Sequence, residues 1–223
     1  MPIRIGTEDP AKIYVGPQPV KRLFVGSSLV WQPPFAGTSN QYTTPGTYLY
    51  VVDDLSRYID LVGIGGGGSA GGGDGGWSWP VSEGGKRGTW NAIRLERGVD
   101  ISWLATQIQL DVGPGGPQVG KETQGNTGTS TIFKLPGGAV LLNCAAGAGG
   151  RPAKNASGPN VAAEAAGNTT FNGVPYTGGA ATPNDTDGYA PGSGGGAASG
   201  GGFGTGKPGR KGGDGAGFLR AYQ

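Results

Sequence analysis

Three strings in this 223-residue chain have the spacing of chemical motifs. Gly63, Gly65 and Gly68 fall at G-x-G-x-x-G after an apolar segment, Tyr58 to Val62, which is the pattern of a dinucleotide site. Such a site needs its last glycine to open a helix whose amide N–H groups hold the pyrophosphate. Here Ser69-Ala70-Gly71-Gly72-Gly73-Asp74-Gly75-Gly76 follows, and each glycine costs about 1 kcal/mol relative to alanine inside a helix. No helix begins there, and no acidic residue follows a second strand at the required distance. Gly67 to Gly71 reads G-x-S-x-G, the nucleophile pattern of hydrolases, yet the chain has no histidine to act as base. Gly115 to Lys121 and Gly201 to Lys207 imitate phosphate loops, but Glu122 and Pro208 stand where Ser or Thr would hold magnesium.

The absence of histidine also removes His-based triads, proton shuttles and most zinc sites. A single cysteine, Cys144, excludes an internal disulfide framework, and its place beside Val140 and Leu142 predicts a buried structural thiol. Glu83, Glu96, Asp100 and Glu164 lie in unrelated contexts and form no acid–base pair. Asp185 and Asp187, in "NDTDG", offer oxygen ligands for calcium, but two carboxylates in a turn ordinarily serve the turn. The expectation is a protein that is not an enzyme, with no metal and no cofactor. The net charge of +2 is scattered. Its densest cluster, Lys207 to Lys211, is far from a nucleic-acid footprint. No run approaches the roughly 18 apolar residues of a membrane helix, and Met1-Pro2-Ile3-Arg4 is not followed by the apolar region of a signal peptide.

Something must position so many glycines. The chain holds 50 of them, with 35% hydrophobic and 14% charged residues, but also five Trp, eight Tyr and six Phe. That many aromatics argue for a folded chain rather than solvated disorder. Residues 11 to 32 contain a short internal repeat, "KIYVGPQPV" echoed by "RLFVGSSLV". Each unit is a β-prone triplet closed by a glycine turn, and a meander of short strands is expected. Pro33-Pro34 then gives a boundary, dividing the chain into an N-terminal β repeat, 1–33, and a glycine-rich β domain, 34–223. Strands are predicted from the Pro45-Gly46 turn through Val52, and at Tyr58 to Ile64, Asn91 to Glu96, Trp103 to Val112, Ser130 to Leu135, Ala139 to Cys144 and Gly217 to Ala221. Ile108, Leu110 and Val112 alternate with Gln107, Gln109 and Asp111, which predicts a sheet with one wet face. "NVAAEAAG", Asn160 to Gly167, allows at most two helical turns. The fold class is all-β, a β-sandwich-like scaffold with glycine-rich excursions.

The glycine tracts follow or separate strands, at 63–76, 146–150, 192–206 and 212–217. One reading is mobile surface loops. The other is extended threefold polyglycine II helices, in which Gly63 to Gly76 would span roughly 43 Å. Such helices lack internal hydrogen bonds, so bundling must satisfy their amides. Interruptions by Ser69, Ala70, Asp74, Ala197, Ala198 and Ser199 predict a sandwich with only a few such helices rather than a full array.

The ordered strings "TTPGTYLYVV", "YIDLVGIGGGGSAGGG", "ISWLATQIQLDVGPGGPQVG", "STIFKL", "AVLLNCAAGAGG" and "GGDGAGFLRAYQ" resemble the glycine-rich domain of bacteriophage tail proteins, over about residues 35 to 223. "KIYVGPQPVKRLFVGSSLVW" is similar to the opening repeat of minor tail proteins from actinobacterial, mycobacteriophage-like siphophages. The resemblance implies a virion component at the tail tip or fibre, made in the host cytoplasm, with a structural and host-attachment role. Its partners would be other tail proteins, further copies of itself (a trimer above other numbers), and a host cell-surface glycan or lipid. It would neither bind nucleic acid nor insert in a membrane. A purely structural plug or collar is the alternative. A polyglycine-helix extracellular or ice-binding protein is another, although secretion and disulfide signals for it are missing.

Aromatics on glycine loops are the candidate receptor contacts, because a wide aromatic face binds sugar or lipid at low entropic cost. These are Trp77, Trp79, Tyr176, Tyr189 and Phe203; the competing reading is that each fills a gap in the glycine packing. Trp90 and Trp103 border strands and are expected in the core. Attachment to the tail falls to the repeat: Ile13, Tyr14, Val15, Leu23, Phe24, Val25 and Trp31.

Overall fold

The computed structural model describes residues 12–26, 28–76 and 80–223, so Trp77 and Trp79 lie outside the described residues. Each repeat unit folds back on itself: β1 (Tyr14–Val15) pairs with β2 (Gln18–Pro19), and β3 (Leu23–Val25) with β4 (Ser28–Trp31). Gly16 and Gly26 take φ of 60 and 62°, a left-handed conformation that glycine adopts without steric cost. Both glycines reverse the chain after an apolar triplet. The expected meander is therefore two separate hairpins.

The glycine-rich domain continues with β5 (Thr38–Tyr42), β6 (Gly46–Val51), β7 (Tyr58–Ile64), β8 (Trp90–Glu96), β9 (Gln107–Val112), β10 (Thr131–Lys134), β11 (Val140–Cys144), β12 (Thr169–Phe171), β13 (Val174–Tyr176) and β14 (Ala216–Tyr222). Two antiparallel four-stranded sheets, in orders β11-β10-β9-β6 and β5-β14-β7-β8, face each other. The apolar alternation of β9 turns Ile108, Leu110 and Val112 inward. There they meet Phe133, Leu142 and Cys144 from their own sheet and Ile59, Leu61, Leu95 and Leu219 from the other. Burying each large apolar side chain stabilises the sandwich by about 1.5–3 kcal/mol. The fold is the all-β sandwich read from the sequence.

Beyond Ile64 the chain leaves the sheet as a buried tract, residues 65–74, in which no glycine has a positive φ. Its amides point outward in rotation, one neighbour for each residue of a three-residue turn. Gly66, Ser69 and Gly72 donate to Thr129, Asn126 and Thr123; Gly67, Ala70 and Gly73 donate to Gly213, Arg210 and Lys207; Gly68 and Gly71 donate to Lys86 and Glu83. Partner numbers fall as the tract's numbers rise, so these three neighbours run antiparallel. Three parallel neighbours donate back. Gly147, Gly150 and Ala153 bond the carbonyls of Gly66, Ser69 and Gly72; Gly195 and Gly201 bond Gly68 and Asp74; Gly116 and Glu122 bond Gly67 and Gly73. The central tract is thus ringed by six extended chains in a hexagonal bundle.

The expectation of only a few such helices is corrected by this ring. Interruptions do not break it, because side chains take over missing positions. Ser69 Oγ accepts the Asn126 N–H at 2.7 Å. Fully buried Ser82 bridges two tracts, accepting from Ala198 N–H at 2.8 Å and donating to the Gly71 carbonyl at 2.6 Å. Ser193 does the same between Ala166 N–H (3.0 Å) and the Ala180 carbonyl (2.9 Å). "NVAAEAAG" is not helical; Gly84 donates to Val161 and Glu164 to Gly85, as in another outer tract. Glycine is required by approach distance: a Cβ on Gly66, Gly67, Gly68, Gly71, Gly72 or Gly73 would lie 2.0–2.2 Å from a neighbouring carbonyl oxygen.

Candidate functional site

Several of the turns that join the tracts meet where the bundle ends away from the sheets. Asp74 is buried there and accepts from Gly76 N–H (3.1 Å) and Ala156 N–H (2.5 Å). Gly204 N–H donates to the Gly75 carbonyl at 2.6 Å, and Lys121 Nζ donates to the Gly204 carbonyl. Gly75 N–H reaches Glu122 Oε1 at 3.3 Å. Turns around 75, 121, 156 and 203 are therefore fastened into one tip. Phe203 crowns it, 84% exposed, with φ of 51° on the 3-10 turn Gly202–Gly204. A large apolar side chain is thus held outward on a left-handed backbone conformation that non-glycine residues rarely adopt.

The opposite end is built by the N-terminal hairpins. Phe24 meets Trp103 edge-on at 5.7 Å, and Trp103 lies between the guanidinium groups of Arg22 (4.7 Å) and Arg97 (5.0 Å). Arg97 is itself 2% exposed and spends its donors on the carbonyls of Asp53 (2.9 Å) and Trp103 (2.7 Å). Lys21 pairs with Asp54 at 2.9 Å. The second hairpin is thereby seated on the sandwich through its own chain. The first hairpin keeps Tyr14 and Val15 exposed, and Val25 is exposed on the second. Ile13 is half-buried, Leu23 and Phe24 are at the margin of exposure, and Trp31 is buried, so Trp31 is withdrawn from any outward attachment face. From the start of β7 to Asp74 the chain runs about 50 Å at extended spacings, separating hairpins from tip.

Among the described residues, the predicted receptor aromatics do not share one surface. Phe203 lies at the tip and Trp77 and Trp79 outside the described residues. Tyr189 is 47% exposed, but its carbonyl accepts from Ser193 near the sandwich end of the bundle. Tyr176 is only 8% exposed and packs against Phe218 at 5.0 Å; at this position the gap-filling role applies. Trp90 is half-buried and also packs on Phe218, at 6.2 Å, with its indole N–H donating to the Gly167 carbonyl at 3.0 Å.

The motif-like strings are occupied by structure. Gly66, Gly67 and Gly68 spend their amides on neighbouring tracts, leaving no phosphate cradle. Asp185 accepts from Lys207 Nζ (2.7 Å) and Ser199 Oγ (2.7 Å) and ties a turn to the bundle. Glu83 is pushed up by burial, but hydrogen bonds from Arg151 and Lys86 outweigh this and hold its carboxyl at about 2. Burial pushes the Cys144 thiol up to about 12, which keeps it protonated and unreactive. Sequence reasoning missed the β12–β13 hairpin, although Asn172-Gly173 carried the signal. Both residues have positive φ, 48 and 77°, as a two-residue hairpin turn requires. It also missed Ser82 and Arg97, which carry no local pattern.

The glycine-rich domain family matches residues 43–222. The Gene 32 protein of Mycobacterium phage D29 is 35% identical over 191 residues, 81% of each chain. The Gene 32 protein of Mycobacterium phage L5 is 31% identical over 172 residues, 72% of each chain. Two sheets feeding a glycine bundle, and these relatives, make the chain a phage protein that belongs to the glycine-rich domain family.

Proposed function

We propose that this chain is a minor tail protein of the virion, placed at the tail tip or fibre, that touches the host surface with the tip of its glycine bundle and joins other tail proteins through its N-terminal hairpins. The observation that carries this reading is polarity of construction. An exposed aromatic is fixed on rigidly tied turns at one end, and exposed β-prone apolar residues stand at the other. A rigid anchor for aromatic contacts reduces the entropy lost on binding. Tail symmetry makes a homo-oligomer, a trimer first, the expected state. A host glycan or lipid is the expected receptor, and the proposed role is non-catalytic.

Adsorption competition tests this. Purified chain, its Phe203→Ala variant and its Trp77→Ala/Trp79→Ala variant are added to host cells before phage. Blocking by the wild type, reduced by either variant, supports the reading. A folded oligomer that blocks nothing refutes host contact and leaves a purely structural plug or collar.

A further inference from the structure

A second recessed surface lies at the sandwich end, between the outer face of β5–β14 and the β12–β13 hairpin. It is a groove of about 520 Å³. Register explains its floor: Phe218 pairs with Gln41 and Arg220 with Ser39, and directly paired residues share a face. With Leu219 turned into the core, Phe218, Gln41, Arg220 and Ser39 point outward together. Phe218 packs against both Trp90 (6.2 Å) and Tyr176 (5.0 Å), so its ring is held in place. Asn172 Nδ2 pins the hairpin to Asp60 Oδ1 at 2.9 Å and fixes the wall that carries Tyr176 and Thr177.

The polar groups here are unspent. Among the described residues, the side chains of Ser39, Gln41, Thr177 and the Tyr176 hydroxyl have no hydrogen-bond partner. Arg220 is the one charged residue lining the groove. It lies over the Tyr222 ring at 4.8 Å and pairs with no carboxylate. The nearby Asp60 has its Oδ1 engaged by Arg94, Asn172 and the Tyr222 hydroxyl, while its Oδ2 is buried without a partner beneath the sheet surface.

From this arrangement we infer that the groove binds an acidic saccharide, a pyranose ring carrying a carboxylate or phosphate. A fixed aromatic floor suits the apolar face of a sugar ring. Hydroxyls and an amide at its rim suit ring hydroxyls, and a free guanidinium suits the anionic substituent. The site is distinct from the tip and stands whether or not the tip contacts the host.

Amide resonances of the full chain are followed during titration with trigalacturonate, its neutral counterpart trigalactose, and inorganic phosphate. The acidic trimer is expected to shift Gln41, Tyr176, Thr177 and Phe218, and to bind at least tenfold tighter than the neutral trimer. Arg220→Gln should abolish that preference, and Gln41→Ala should weaken binding several-fold. Neither residue is buried in the core, so both variants keep the fold. Absence of shifts at the groove with either trimer overturns the inference. So does equal affinity for the two trimers with no effect of Arg220→Gln, or phosphate alone binding as tightly as the acidic trimer.

Discussion

Adding one methyl group inside the hexagonal bundle gives the sharpest test of how it is held. In Gly68→Ala the new Cβ would sit 2.0 Å from the Ala148 carbonyl oxygen and 2.3 Å from its carbon. Both contacts are backbone, so no side chain can swing away. Separation of the tracts would break the bonds from Gly68 to Lys86, from Gly195 to Gly68 and from Lys86 to Ala148. A buried pair left unmade costs about 1–3 kcal/mol, so three cost about 3–9 kcal/mol. Reduced freedom of the unfolded chain offsets only about 0.4–1 kcal/mol. For a protein of this size each kcal/mol moves Tm by about 2–4 °C. Gly68→Ala should therefore lower Tm by roughly 4 °C or more. Gly120→Ala is the control, since its Cβ would meet only Thr123 Oγ1 at 3.6 Å. That variant should melt within about 2 °C of wild type or slightly above it. Thermal and denaturant unfolding of the three proteins reads the difference. A Gly68→Ala protein that melts with the wild type would refute close packing as the reason for glycine.

Three further outcomes are expected. Ser82→Ala leaves the Ala198 N–H and Gly71 carbonyl without their bridge; it should cost about 2–6 kcal/mol, with faster hydrogen exchange at Ala198, whereas unchanged exchange would show the bridge to be dispensable. Glu83, held at about 2 when folded against an ordinary 4.5, contributes stability that is fully present above pH 4.5 and is lost as pH falls towards 2. Removing it in Glu83→Gln should flatten the acid limb of the stability–pH curve, and an unaltered limb would remove this residue as its source. Cys144, pushed up to about 12 by burial, should resist iodoacetamide at pH 8 until the protein is denatured; labelling of native protein at the rate of a free thiol would contradict its burial.

The sandwich was legible because its strands carry side-chain alternation. Ile108, Leu110 and Val112 announced β9, and β7, β8, β10, β11 and β14 were found within a few residues of their ends. β5 was not singled out, since Thr38-Ser39-Asn40-Gln41 is a polar run with only Tyr42 packing on the core, and it is a strand because the backbone of β14 accepts it as an edge. The bundle was harder. Glycine has no side chain to report a neighbour, so nothing in "GGGGSAGGG" says that residues near 126, 150 and 210 will surround Ser69 and Ala70. A hydroxyl acting as a bridge, as in Ser82, leaves no mark in one dimension either. Among the candidate contacts, aromatic type alone could not separate exposed Phe203 from Tyr176, which the Asn172-Gly173 hairpin folds inward onto Phe218.

The buried central tract and the six tracts around it also bear on heat capacity. Unfolding the sandwich exposes apolar side chains, which raises heat capacity, but unfolding the bundle exposes chiefly peptide groups, which lowers it. The two contributions oppose one another within a single chain. Its stability curve should accordingly be broader than that of an apolar-cored domain of equal length, and its tolerance of cold as well as warmth correspondingly wider.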